Sequence, residues 1–287
     1  NRAILEHRTF QEIMTVYGLE RAMYRLSISP FSENFILKGG ILLYAFFEGD
    51  YSRGTADVDL LGIQIKNDID VIQRIFEEIF SIEFPEDAIQ YDITSMKISR
   101  ITELKKYPGI SVSITGYLDR TKIPVQIDIG FGDIVFPEVG LMEYPSLLHQ
   151  SPAIIHVYSK ESIIAEKFEA MVSLGYATSR MKDFFDIYAL SESYDFHSEV
   201  LAEAIKETFE NRNTSFAIIS AFEDEFMDDP NRKRMWNSFT KAKNITLAIS
   251  LQEVIVKIKA FLVPIISMLQ DNSIKRLTWS HVQNEWR

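Results

Sequence analysis

The hydrophobic periodicity of this chain changes once, near residue 155, and that change limits the architectures open to it. Before it, Ile93–Ile101, Ile110–Leu118 and Ile123–Ile129 alternate apolar with polar residues and read as strands, with Ser and Thr on the polar side of the second. Shorter strands are expected at Phe35–Leu37 and Ala56–Ile63, and helices over 8–28, over Ile41–Phe47, and from the Asn67-Asp68 cap to Phe80. After it, Ser159–Leu174, Arg180–Glu192, Ser198–Asn211, Phe216–Phe226 and Ile249–Leu269 all carry helical spacing, the last with Pro264 expected to kink or end it. The expected architecture is therefore α+β (α/β): a mixed β-sheet with helices over residues 1–150, then an all-helical lobe over 151–287, joined near the Pro145–Pro152 loop.

Composition removes several classes of chemistry. The chain has no cysteine, which excludes a thiol nucleophile, a disulfide framework and Cys-ligated zinc. Its five histidines show no HExxH spacing, and no Gly-x-Ser-x-Gly elbow is present. No run approaches the roughly 20 apolar residues that span a bilayer, and no signal-peptide core opens the chain, so no membrane association and a cytoplasmic location are expected. The net charge of −11 is unevenly spread: residues 231–287 hold ten Lys/Arg against three acids, which leaves −18 on the remainder. Such a basic segment, with Trp236, Trp279 and Trp286 in it, suits either a polyanion such as RNA or a set of solvated and core-anchoring helix faces.

The residues that carry chemistry lie in the strand-rich half. Asp57 and Asp59 are two apart on an expected strand, which puts both carboxylates on one face and turns Val58 and Leu60 into the core. Asp128 stands on the polar side of Val125–Ile129, and Asp133, past a Gly130-Phe131-Gly132 turn, is its rival as a third acid. Three carboxylates on neighbouring strands are hard oxygen donors that suit Mg²⁺ in a two-metal site for phosphoryl or nucleotidyl transfer. Gly39 and Gly40 sit at a strand-to-helix turn, where bare amides cradle phosphate. Lys38 either reaches that phosphate or flanks the turn, and Thr55 either offers its hydroxyl to phosphate or metal-bound water or serves as a β-former.

This arrangement resembles the DNA polymerase β-type nucleotidyltransferases, and within them the AbiEii/AbiGii toxin family. The resemblance rests on four motifs in the family's order: Leu37-Lys38-Gly39-Gly40; Arg53 to Asp59; Glu166-Lys167-Phe168-Glu169-Ala170; and Arg180 to Tyr188 with Asp183 and Asp186. It implies a polymerase β-like core. It also implies an NTP substrate with Mg²⁺ as cofactor, catalysis at Asp57, Asp59 and Asp128, and a toxin of a toxin–antitoxin or phage-defence pair with an RNA acceptor such as tRNA and a cognate antitoxin. Lys167 becomes a triphosphate ligand rather than a lysine snorkelling to water, with Arg180, Asp183 and Asp186 near the nucleotide rather than merely suiting a helix dipole. The alternatives are a small-molecule, aminoglycoside-type nucleotidyltransferase and a nucleotide-binding regulator without catalysis.

Overall fold

A computed structural model describes residues 9–48, 55–101, 109–216, 218–243, 245 and 249–287. The chain divides into two compact units, one of residues 1–133 and 139–158, the other of 134–138 and 159–287.

The first unit opens with α1 (Phe10–Ser27), started by a capping box in which Thr9 accepts from the Glu12 N–H and the Glu12 carboxylate accepts from the Thr9 N–H. Then follow β1 (Phe35–Lys38), α2 (Gly39–Phe46), β2 (Val58–Gly62), α3 (Ile69–Phe80), β3 (Ile89–Ile101), β4 (Gly109–Leu118), β5 (Thr121–Phe131), β6 (Gly140–Glu143) and β7 (Ile154–Val157). The Asp68 carboxylate caps α3 by accepting from the Asp70 and Val71 N–H groups. The strands form one sheet in the order β3-β4-β5-β2-β1-β7-β6, with β2 parallel to β5 and β1 parallel to β7 in an otherwise antiparallel ladder. Alternation divides its centre cleanly. Ile110, Val112, Ile114, Ile123, Val125, Ile127 and Ile129 are all buried, and the residues between them on β4 and β5 line the other face.

A charged knot fastens α1 to the start of β3. Asp87 is buried beside two buried arginines: Arg21 Nε donates to its Oδ2 at 3.0 Å, and Arg25 donates through Nη1 at 2.6 Å and Nη2 at 3.1 Å. Burial works to raise the Asp87 carboxyl, but the Arg25 fork, the Ile89 N–H and Arg21 together hold it below the usual carboxylate range. One helix turn earlier, burial pushes the Glu20 carboxyl up, against the opposing bonds from the Leu147 N–H and the Ser146 hydroxyl.

The second unit contains α4 (Lys160–Leu174), α5 (Met181–Ser193), β8 (Phe196–His197), α6 (Ser198–Arg212), α7 (Asp224–Asp228), α8 (Pro230–Ala242), α9 (Leu251–Gln270), β9 (Thr278–Ser280) and β10 (Glu285–Trp286). Four features depart from expectation. A small sheet in the order β10-β9-β8 joins the helices, so the C-terminal half is not wholly helical. The run Phe216–Phe226 is no single helix: a 3-10 turn, Ser220–Phe222, precedes α7, because Phe222 and Phe226 pack on different partners, Phe168 and Phe184. α8 has no counterpart in the expected elements. α9 continues past Pro264 instead of ending there, since Phe261, Leu262, Ile265 and Ile266 are buried on both sides of it and their packing outweighs the lost backbone bond.

Part of the basic tail is structural. Trp236 and Trp279 are 1% and 2% exposed, which removes them as stacking platforms, and Trp286 lies parallel to the Phe261 ring. Arg232 is buried, donates to the carbonyls of Thr178 and Tyr176, and lies 3.8 Å over the Phe226 ring. Lys257 pairs with Glu192 at 2.6 Å, and Lys259 donates to the Phe222 carbonyl.

Replacing Asp87 by Ala strands two buried guanidinium groups, and chemical denaturation should show a loss of about 3–5 kcal/mol. The same carboxylate gives a pH signature with a fixed sign. Its folded value lies below the unfolded one, so its contribution is complete above roughly pH 4 and fades as pH falls through the folded value. Wild type should therefore lose stability on acidification more steeply than Asp87→Asn, and parallel acid curves would remove the knot from this role.

Candidate active site

Parallel pairing of β2 with β5 sets the site. The register places Val58 opposite Ile127, Asp59 opposite Asp128 and Leu60 opposite Ile129. Val58, Leu60, Ile127 and Ile129 are buried, so the two aspartates share the opposite face. Asp57 arrives differently. β2 begins only at Val58, and Asp57 lies in the bend before it rather than on the strand as alternation required. The bend still brings its carboxylate to the others: one oxygen from each of Asp57, Asp59 and Asp128 falls within 4.8 Å of the other two.

Neutral donors orient two of these acids. The Thr55 hydroxyl donates to Asp57 Oδ1 at 2.7 Å, so its observed partner is a carboxylate. The Ser111 hydroxyl, opposite Asp128 on β4, donates to Asp128 Oδ1 at 2.7 Å, and Gln126 Nε2 reaches the same oxygen at 3.2 Å. Ser111 and Gln126 are not among the residues expected at the site. Their only signal was position, one directly across from Asp128 and one two residues before it on the same face.

The glycine turn closes against this cluster. Gly39 and Gly40 form the first residues of α2 rather than a break before a helix at Ile41. Gly39 has φ +73, and a Cβ there would fall 1.9 Å from Asp59 Oδ2, so both conformation and contact require glycine. Lys38, opposite Asp59 on β1, extends to Asp133, with Nζ 2.7 Å from Asp133 Oδ2 and 5.2 Å from the Tyr158 ring centre. Asp133, the rival third acid, is thus an ion-pair partner of Lys38, and the cluster contains Asp128. Arg53 and Gly54 of the same motif lie outside the described residues.

The second unit holds its own charged cluster. Lys167 on α4 places Nζ 2.6 Å from Asp186 Oδ2 and 3.2 Å from Asp183 Oδ1, both at the start of α5. Arg180 Nε stands 2.5 Å from Asp183 Oδ2. The Lys167 side chain is only 11% exposed, so it does not snorkel. Burial would raise the Asp183 carboxyl, but Lys167 and Arg180 outweigh it and hold it below its ordinary value. The Arg232 clamp on the Tyr176 and Thr178 carbonyls fixes the segment leading into Arg180, whose N–H donates to the Thr178 hydroxyl.

Chemically, the trio in the first unit is a set of converging hard-oxygen donors able to hold a divalent cation. Among the described residues no helix is long and apolar enough to cross a membrane. A family model described as nucleotidyl transferase AbiEii toxin, type IV TA system, matches residues 21–251, and the chain belongs to that family. No curated protein matches it. Among solved structures it is similar to a candidate nucleotidyltransferase from H. pylori, at 17% identity and a TM-score of 0.48 over 91% of this chain and 97% of that one. It is also similar to JHP933 from Helicobacter pylori, at 17% identity and a TM-score of 0.47 over 89% and 92%.

Two stability measurements follow from this packing. Gly39→Ala should cost about 1–3 kcal/mol or more, since φ is unfavourable and Asp59 must move. Asp59→Asn keeps the volume but relieves repulsion, so without divalent cation its melting temperature should equal or exceed that of wild type. A Gly39→Ala protein as stable as wild type, or a strongly destabilised Asp59→Asn, would contradict the geometry.

Proposed function

We propose that this chain transfers a nucleotide from an NTP to an RNA acceptor such as tRNA, with Mg²⁺, as the toxin of a bacterial toxin–antitoxin pair active in phage defence. The observation that carries the reading is the carboxylate trio, with one oxygen of each acid within 4.8 Å, set against a glycine turn at the start of a helix. Asp57, Asp59 and Asp128 would hold the cation, which when bound supplies Lewis-acid neutralisation of phosphate charge.

The protein's own groups do the rest. The backbone amides of Gly39 and Gly40, at the N-terminus of α2, receive phosphate oxygens. Asp128 accepts the proton of the attacking hydroxyl on Oδ2, its Oδ1 being held by Ser111 and Gln126. The hydroxyl oxygen attacks the α-phosphorus, the bond to the β-phosphate oxygen breaks, and pyrophosphate leaves. Lys167 and Arg180 neutralise the triphosphate, with Asp183 and Asp186 aiming them; that assignment rests on the family's motif order and on their mutual ion pairs. The protein acts in the cytoplasm, where its NTP, its RNA and its antitoxin meet.

Incubation with Mg²⁺, each labelled NTP and total tRNA tests this directly. Label should appear on tRNA, and Asp57→Asn and Asp59→Asn should each abolish it with the fold intact. Label on a small acceptor, or NTP binding without transfer, would replace the reading with one of its alternatives. Arg180→Gln should raise the NTP KM more than it lowers kcat, because the guanidinium binds ground state and transition state alike. An unchanged nucleotide KM would leave Arg180 as a structural partner of Asp183.

A further inference from the structure

The carboxylate-bearing face of the sheet does not end at Asp128. Ladder pairing continues it across β4 and β3. Asp128 lies opposite Ser111, and two residues along, Gln126 lies opposite Ser113, which lies opposite Lys97. Farther along β4, Thr115 and then Tyr117 lie on the same face, with Lys122 opposite Tyr117. Lys97, Lys122 and Gln126 are exposed, and Ser111, Ser113 and Thr115 are half-buried. The helices pack on the other face: Tyr91, opposite the buried Gly116, donates to the Gly18 carbonyl of α1 and packs against Phe80 of α3.

The chemistry of this face is unusual for so acidic a chain. Of 41 Asp and Glu residues, β3, β4 and β5 carry only Asp92 and Asp128. Asp92 turns its Oδ1 to the Thr94 N–H and hydroxyl. What remains is hydroxyls, an amide and two ammonium groups, with Pro124 and the Tyr117 ring as the apolar surface among them, little of the apolar area that forms the centre of a protein interface. These are the donors that contact phosphate and sugar oxygens. Ser111, Ser113 and Thr115 of β4 carry short side chains, and from Asp128 to Lys122 the strand runs roughly 20 Å, room for a few nucleotides of an extended strand.

We infer that this face is the acceptor subsite: the single-stranded 3′ end of an RNA lies along β4 and β5, its terminal hydroxyl at Asp128 and its upstream phosphates over Ser113, Lys97 and Lys122. The inference rests on the nucleotidyltransferase reading and deepens it by locating the acceptor. It places the acceptor on the sheet rather than on the basic C-terminal segment, two of whose cations, Arg232 and Lys257, are engaged in packing and an ion pair.

The test uses the full chain with Mg²⁺, labelled NTP and a short oligoribonucleotide bearing a free 3′-hydroxyl. In parallel, the affinity of the same oligonucleotide, blocked as the 3′-deoxy form, is followed by fluorescence anisotropy against salt. Lys97→Glu with Lys122→Glu should raise the acceptor KM severalfold, leave the NTP KM unchanged, and reduce the salt slope by about 2. Ser113→Glu should act in the same direction, and Lys97→Arg should behave as wild type. Lys97 and Lys122 are exposed, so an unchanged melting temperature checks the folding of their variants. If wild type labels RNA and the variants keep its acceptor KM and salt slope, the acceptor lies elsewhere and the face assignment falls while the enzymatic reading stands. If NTP and acceptor constants worsen together, the face is not an acceptor subsite. If wild type transfers label to no RNA, both readings fall.

Discussion

Like charges resist being gathered, and this fold gathers three. Two carboxylates about 4 Å apart repel by about 1 kcal/mol in water and about 4 kcal/mol at an effective dielectric of 20. Asp59 and Asp128 are nevertheless set side by side by one ladder, the parallel pairing of β2 with β5, and the bend before β2 brings Asp57 within 4.8 Å of both. The apolar partners of that ladder are buried on the far face, so sliding the register by one residue would bury the aspartates and expose Val58, Leu60, Ile127 and Ile129. Core packing thus holds the acids in place against their own repulsion.

Elsewhere the chain handles buried acids in another way. Asp87 is matched by Arg21 and Arg25, and Asp183 and Asp186 by Lys167 and Arg180. There the charges are nearly balanced inside the protein, and burial is tolerated because the partners are close and geometrically good. Asp57 and Asp128 receive hydroxyl and amide donors instead, from Thr55, Ser111 and Gln126. Such donors orient the Asp57 and Asp128 carboxylates without cancelling their charge. Gly39 completes the arrangement, since only a residue without a side chain lets the turn into α2 approach the Asp59 carboxylate.

Much of this was legible in the sequence because alternation and capping are local. Asp59 and Asp128 were readable from the buried residues on either side of them, and Asp68 from its place before a helical pattern. Asp57 was placed correctly in space for an incorrect reason: a bend, which period-two reasoning cannot see, does the work expected of a strand. Asp128 was preferred to Asp133 because Asp133 lies past the Gly130-Phe131-Gly132 turn, whereas the ion pair of Asp133 with Lys38, 95 positions away, was not legible. Long-range packing also explains the misses. Phe222 and Phe226 answer to partners on separate helices, Pro264 is carried by a buried helix, and the tryptophans of the basic tail serve the core. Ser111 and Gln126 were invisible because nothing local distinguishes them from other polar strand residues.

The central claim is that Asp57, Asp59 and Asp128 act together as a divalent-cation site. Titration with Mn²⁺ followed by electron paramagnetic resonance reads that property without requiring a known acceptor. Wild type should bind Mn²⁺ saturably, more tightly with a non-hydrolysable NTP analogue, and Asp128→Asn should lose that binding while its circular dichroism spectrum is unchanged. Equal Mn²⁺ binding by wild type and Asp128→Asn, or none by wild type even with nucleotide present, would contradict it.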